Sequence, residues 1–448
     1  MQAGYGANDR RMKGTAGKPK SNESYFNHFA CFPVSCAGYG VVARNVWLRQ
    51  NAMMSSKTQI LENASPSSQS VIFGLLCAGF VVNGIVISFI GPILPVFMAK
   101  WGLDDSRAGL FSLVQFSGSL AGVLLSSALI SAKGFKPAIT LGVAMLGIGF
   151  ALLNAPTFAL ALVASGIYGL GYGFATPGTN LWVGEMYRER RASALNIMNL
   201  AWGAGAIVSS PLAMLTVRMS HVTPVLYFVG AICAALALVL LRMPFGKPPQ
   251  EEDPAPAATK PKMGGVGVAA LLGILFFVYV GTEVGTSYWA PAHAQRATTW
   301  STNTWTLAPM FFFAGLLSGR GTVAAILLRW KEVTVAVGGL LLAATGELIF
   351  LSARSRLGLF GGAFLAGLGL AGLFPIFIAW LSKWFGVRAR KVGGVMFALA
   401  AGGSALMPPL VGVVSRYSGS LRLGLLVPLA GCIVMLAVIG LLRPGTRG

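Results

Sequence analysis

Long apolar runs separated by short polar connections dominate the chain from about residue 70 onward. Each run is close to the ~20 residues a helix needs to cross the hydrocarbon core of a bilayer. Twelve are predicted, at about 71–99, 107–131, 136–154, 158–181, 192–217, 222–242, 264–290, 302–328, 333–353, 357–380, 391–415 and 419–442. Pro and Gly interrupt many of them, which membrane helices tolerate better than soluble ones. The longest internal polar stretch, "RMPFGKPPQEEDPAPAATKPKM" (242–263), is Pro-rich and charged and reads as a solvated linker. The expected fold is an all-α integral membrane protein of twelve transmembrane helices in two six-helix bundles. Residues 70–242 form the first bundle, 243–263 the linker, 264–442 the second bundle and 443–448 a short C-terminal tail.

Residues 1–69 are polar and basic without a sustained period, and are expected to be a disordered tail. They lack the charge, apolar core and small-residue cleavage site of a signal peptide. Met53 or Met54 followed by a short polar lead would make a more ordinary start, so an over-extended start is one reading of the tail.

Composition agrees with the pattern. The chain is 55% hydrophobic and only 10% charged, with mean hydropathy +0.70, whereas soluble domains carry about 25% charged residues. A net charge of +21 could point to nucleic acid, but here the basic residues sit between apolar runs rather than in clusters on a soluble fold. Alternate connections share them unequally. Lys133, Lys136, Arg190, Arg191, Arg329, Lys331, Lys383 and Arg388 belong to a set of seventeen; Lys100, Arg107, Arg296 and Arg416 belong to the opposite set of eight. The excess predicts that both termini and the linker face the cytoplasm. The five cysteines are scattered, with no disulfide framework or zinc spacing, and a His28–Cys31–Cys36 metal cluster is a remote alternative.

The halves repeat. "GLGYGFATPGTNLW" (169–182) lies over "GLGLAGLFPIFIAW" (367–380) without a gap. The same offset of 198 places Arg190 on Arg388, Gly205 on Gly403 and Pro211 on Pro409. At 197, Phe116, Gly118, Gly122 and Gly142 fall on Phe313, Gly315, Gly319 and Gly339. Two similar bundles joined by a cytoplasmic linker suggest alternating access around a site between the halves at mid-membrane.

Several segments carry a family likeness: "RASALNIMNLAWGAGAIVSSPL" (191–212), "GLLSGR" (315–320), "GLGLAGLFPIF", "AAGGSALMPPLVG" (400–412) and "YVGTEVGTSYW" (279–289). Over roughly residues 70–442 the chain resembles the major facilitator superfamily, and within it most nearly the fucose–proton symporters. The resemblance implies a transporter with helix 7 along its cavity. It also has a gap: those symporters use carboxylates on helices 1 and 4, and this chain offers Asn83 and Asn180 instead. The superfamily's acidic-basic motif between helices 2 and 3 is reduced to "SAKGFKP", with no Asp. Fucose-like coupling therefore does not carry over residue by residue.

Of thirteen acidic residues, only Glu283 and Glu347 fall well inside predicted spans. A carboxylate at the bilayer centre costs at least ~2.5–3.5 kcal/mol, so it needs a partner, a proton or a task. Tyr279, Glu283 and Thr286 share a helical face at i, i+4, i+7. A phenol, a carboxylate and a hydroxyl aligned in this way suit a hydroxylated solute, and Glu283 is the candidate for exchanging a proton as the site opens and closes. The bland alternative is a neutral Glu satisfied by a neighbouring helix. Glu347 reads as an interhelical hydrogen bond. Arg320 reads as a gate, or as a side chain snorkelling to the cytoplasmic interface, with a direct pair to Glu283 looking strained. On helix 4, Tyr168, Tyr172, Thr176 and Thr179 fall in one sector and would line a wet wall, unless the tyrosines are interface anchors. Asn180 lies nearer the cytoplasm. Asn199 is balanced between solute contact and interhelical glue, whereas Asn196 suits a gate or glue. Asn83 and Gln115 are amides able to donate to and accept from hydroxyls. Trp289 could stack on a sugar ring or simply pack.

The expected function is secondary transport of a small hydroxylated solute, a sugar or polyol, with proton coupling through Glu283 as one option. The expected setting is the plasma membrane, of bacterial inner-membrane type. A proton-driven exporter of drugs or metabolites is the nearest alternative; a uniporter and a non-transporting sensor also stand. No nucleophile–base pair, metal cluster or cofactor fingerprint suggests an enzyme. The partners implied are the bilayer and the solute, with no nucleic acid and no cofactor beyond a proton gradient, and the chain is expected to act as a monomer.

Overall fold

The computed structural model describes residues 66–187, 190–219, 221–243, 265–298 and 303–442. The predicted tail (but for its last residues), the linker and the C-terminal segment 443–448 lie outside the described residues. Among the described residues, twelve helices are long and apolar enough to cross a membrane. They are α1 (Ser70–Trp101), α2 (Asp105–Lys133), α3 (Phe135–Asn154), α4 (Phe158–Met186), α5 (Ser193–Arg218) and α6 (Thr223–Arg242). The second half holds α7 (Val266–Ala297), α8 (Asn303–Ile326), α9 (Glu332–Ser352), α10 (Arg356–Phe385), α11 (Lys391–Ser418) and α12 (Leu421–Leu442). The predicted segments are all present, and several helices continue past their apolar cores.

The outer surface is apolar, as lipid requires: Leu124, Ile148, Phe228, Leu238 and Ile433 are all exposed. Local chemistry fixes several ends. The Asp104 side chain caps the start of α2 through the Arg107 N–H at 2.8 Å, and Thr157 caps α4. Gly102 and Gly419, at φ +60° and +69°, close α1 and α11 in the left-handed conformation that only glycine adopts without strain.

Among the described residues, α1 and α10 break well inside their spans. α1 is interrupted at Phe89, where Pro92 lacks the N–H that would pair with the Ser88 carbonyl. α10 breaks at Ala371–Gly372, four and three residues before Pro375, for the same reason. Broken spans of this kind free backbone groups in the membrane interior, and transporters place their sites beside them.

The internal repeat is written in the helix contacts. A Cβ at Gly169 of α4 would collide with the Gln115 carbonyl of α2; one at Gly367 of α10 would collide with the Phe312 carbonyl of α8. Gly118 approaches Gly166 as Gly315 approaches Phe364, and Gly205 meets Val81 as Gly403 meets Phe277. The two bundles are thus built on the same close helix crossings, which only glycine permits.

Between the halves, α1 meets α7, α2 meets α11, and α5 meets α8. Gly91 lies against Ser287 and Tyr288, Gly109 against Pro408 and Pro409, and Gly203 against Leu317. The α1–α7 and α2–α11 contacts occupy the half of the molecule nearest the α1–α2 and α7–α8 connections. At the opposite end no helix pair across the halves packs extensively among the described residues. The molecule is closed at one end.

Candidate functional site

Just inside the closed end, polar side chains from both halves converge. Asn83 of α1 donates through Nδ2 to Thr176 Oγ1 of α4 at 2.9 Å, leaving its own Oδ1 buried without a partner. One turn from Thr176, Tyr172 lies within electrostatic reach of Glu283 of α7, across the interface between bundles. One turn from Glu283 along α7, the fully buried Tyr279 holds its hydroxyl between the Glu283 carboxylate and the Arg320 guanidinium of α8. It is close enough to feel both charges but makes no well-formed hydrogen bond to either. Glu283 and Arg320 are half-buried, and no ion pair within 4 Å joins them. The arrangement runs from an amide through two phenols to a carboxylate and a guanidinium. It can offer hydroxyl groups both donors and acceptors.

Helix geometry explains why Arg320 belongs here. Phe313, Leu317 and Arg320 form an i, i+4, i+7 stripe. Phe313 packs edge-on against Trp202 at 6.1 Å, and Leu317 sits against Gly203, so the stripe faces α5 of the other half. Asn199, one turn before Trp202 and Gly203, continues the opposing face of α5 and is exposed, as is Asn196. Arg320 thus belongs to the face of α8 turned toward α5. Tyr279 spans the separation that made a direct Glu283–Arg320 pair look strained. Behind Tyr279 lies an aromatic wall, with Phe374 at 5.7 Å and Phe377 at 6.0 Å between ring centroids.

Several predicted site residues lie elsewhere. Thr286 turns away from Glu283 and donates to Glu347 Oε1 of α9. That hydrogen bond links α7 to α9 and takes Thr286 out of a row with Tyr279 and Glu283. A turn of 300° separates Thr286 from Glu283, enough to point it into its own bundle. Trp289 is fully buried, with Nε1 donating to the Pro408 carbonyl at 2.9 Å and its ring beside Gly412. It fills the closed end and offers no stacking face. Tyr168 donates to Gln115 Oε1 at 2.5 Å, and Gln115 Nε2 reaches the Ile87 carbonyl at 3.3 Å. Both are buried and satisfy each other, so they do not line a wet wall in this conformation. Thr179 lies with Asn83, Ile139, Val143 and Leu236 around a small apolar void inside the first bundle. The helix 4 stripe is thus split, with Tyr172 and Thr176 toward the site and Tyr168 and Thr179 away from it. Asn180 is half-buried, with no hydrogen bond among the described residues.

Sequence reasoning missed the closed end itself. Asp105 at the start of α2 pairs with Arg296 of α7, and Ser415 of α11 donates to Asp105 Oδ2 at 2.5 Å. Arg416 approaches Asp104 at 3.4 Å, and Tyr288 donates to the Ala108 carbonyl at 2.7 Å. Unlike charges at the ends of spans from different halves were the available signal.

Comparison with known proteins places this geometry. The family model described as Major Facilitator Superfamily matches residues 76–346. An uncharacterized transporter, y4wD of Sinorhizobium fredii (strain NBRC 101917 / NGR234), is 23% identical over 355 residues, covering 76% of this chain and 90% of that protein. Among solved structures, a bacterial homologue of the human lysosomal transporter Spinster, inward-facing and unoccupied, superposes with a TM-score of 0.67 at 16% identity. That match covers 84% of this chain and 97% of the other. The fucose:proton symporter FucP of E. coli superposes at 0.55 and 18% identity, covering 84% of this chain and 99% of its own. At these identities the two structures share a fold with this chain and no more. The chain belongs to the major facilitator superfamily.

Proposed function

We propose that the chain is a secondary active transporter that moves a small hydroxylated solute by alternating access, with Glu283 as the proton-coupling group. The observation that carries this reading is the convergence of Tyr172 from the first bundle with Tyr279, Glu283 and Arg320 from the second, between the halves. A carboxylate facing that interface can take up a proton from one side and release it to the other as the halves rock. Asn83, Asn199 and the two tyrosines supply hydroxyl-binding groups at no cost in buried charge.

The basic residues of the connections support a bacterial inner-membrane topology with both termini in the cytoplasm. In that orientation the Asp105–Arg296 end faces outward and the site is open to the cytoplasm. The aromatic wall of Phe374 and Phe377 supports a second reading, a proton-driven exporter of drug-like solutes with an apolar face.

Reconstitution into vesicles with an imposed proton gradient tests the proposal. Wild-type protein should accumulate a labelled sugar or polyol, and Glu283→Gln should lose gradient-driven accumulation while retaining passive exchange. Unchanged accumulation removes Glu283 from coupling, and efflux of a cationic dye without sugar uptake favours the exporter.

A further inference from the structure

Arg320 is the feature that a neutral-sugar site leaves unexplained. Its place on the Phe313–Leu317–Arg320 stripe puts it in the space between the halves, opposite Asn199 of α5. A guanidinium at membrane depth is costly and normally finds a carboxylate partner. Here no carboxylate lies within 4 Å of it, and among the described residues it makes no well-formed hydrogen bond. Glu283, like Arg320, acts on the Tyr279 hydroxyl, and no ion pair joins the two. A planar fork with five donors, which meets only the Tyr279 hydroxyl among the described residues and lines the space between the halves, matches a carboxylate in two-point geometry.

We infer that Arg320 is an anion-binding residue of the transport site, and that the solute is a hydroxylated monocarboxylate, a sugar acid or hydroxy acid, carried together with a proton on Glu283. The inference rests on the transport reading above and narrows its substrate class. The charges set its logic. With Glu283 ionised the site is neutral overall, and an incoming carboxylate meets a like charge beside Tyr279. With Glu283 protonated the site carries one positive charge, which the solute neutralises, so the loaded site crosses the membrane interior uncharged. The titratable and charged groups facing Glu283 are Tyr172 of α4, Tyr279 of its own helix and Arg320 of α8. α10 presents Phe374 and Phe377, and α11 presents Met407 and glycine backbone to α7, so neither adds a charge. The exposed Asn199 remains for the hydroxyls.

The test uses the purified full-length protein and two matched series: gluconate, glycerate and lactate against glucose, sorbitol and glycerol. Thermal stabilisation and uptake into vesicles are measured for both, in acidic and alkaline buffer. The inference expects stabilisation and uptake with at least one carboxylate, stronger in acid, and little with its uncharged counterpart. Arg320→Gln should weaken that carboxylate by about tenfold or more, the worth of one charge-assisted pair. Arg320→Lys, which keeps the charge but loses the fork, should fall between; it also serves if Arg320→Gln does not fold. Binding or uptake of the uncharged series with no preference for carboxylates, unchanged by Arg320→Gln or Arg320→Lys, overturns the inference and leaves the transport reading standing. If neither series binds or enters vesicles, the transport reading for hydroxylated solutes falls, and the inference with it.

Discussion

Asp105 grips Arg296 at two points, Oδ2 to Nη1 at 2.8 Å and Oδ1 to Nη2 at 2.5 Å, and so ties α2 of one half to α7 of the other. Ser415 adds a hydroxyl from α11 to the same carboxylate. One side chain thus holds three helices together at the end where the halves meet. Alternating access requires this end to open, and the fork must then break. Its worth sets part of the balance between the two states.

Asp105→Asn should therefore loosen the closed end. The Arg296 side chain is 43% exposed against 10% for Asp105. The loss is consequently well below that of a fully buried pair, on the order of 1–2 kcal/mol. A cysteine placed at Ser112, buried between α2 and α11 where its hydroxyl meets the Ser404 carbonyl, reports the change. Alkylation of Ser112→Cys from the α1–α2 side should speed up several-fold in the Asp105→Asn background. Equal rates in both backgrounds would show that the fork does not restrain opening.

Glycine crossings give a prediction that the internal repeat doubles. Gly169→Ala and Gly367→Ala each drive a methyl group into a carbonyl of the partner helix, Gln115 and Phe312 respectively. Each should cost about 1–3 kcal/mol, because backbone and not a flexible side chain must move. Gly338→Ala, on an exposed face of α9 with nothing within 4 Å, should be neutral or slightly stabilising. Thermal unfolding in detergent ranks the three. A loss at Gly338 as large as at Gly169 would contradict the crossing geometry.

These crossings also show what the sequence makes legible. The twelve spans follow from uninterrupted apolarity, and the pairing of Gly118 with Gly315 or Gly205 with Gly403 anticipates which helices touch. Side-chain direction is harder to read. Tyr168, Tyr172, Thr176 and Thr179 share one sector of a helical wheel. Yet a helix packed on several sides sends Tyr168 to Gln115, Thr179 into its own bundle, and only Tyr172 and Thr176 to the interface. A wheel locates a face and cannot name its neighbour. The same gap hid the Asp105–Arg296 fork, whose partners stand 191 positions apart and reveal themselves only once α2 and α7 are set side by side.

Glu347 separates shape from charge. It is fully buried, accepts from Thr286 through Oε1 and has no partner at Oε2. Glu347→Gln offers Thr286 the same acceptor and no ionisable group, so stability and transport should both stay near wild type. Glu347→Ala strands the Thr286 hydroxyl and opens a void between α7 and α9, costing about 2–4 kcal/mol. Thermal unfolding of the two variants should differ accordingly. A Glu347→Gln variant that folds normally but loses proton-driven accumulation would move the coupling group from Glu283 to this site.

Asn199 distinguishes solute contact from helix glue. It lies exposed on the α5 face that opposes the Arg320 stripe, one turn before Trp202 and Gly203, and among the described residues it has no hydrogen-bond partner. An amide with free donors and acceptors in that position is available to a solute hydroxyl. Asn199→Ala should weaken solute binding by about 1 kcal/mol, roughly fivefold in affinity. Its midpoint of thermal unfolding without ligand should stay where it is, because no protein contact is removed. Glue behaves the other way: the unliganded protein loses stability while the affinity of the folded fraction is unchanged. Measuring both quantities on one preparation decides between them, and the second pattern would take Asn199 out of the site and leave Asn83 with Thr176 as its amide wall.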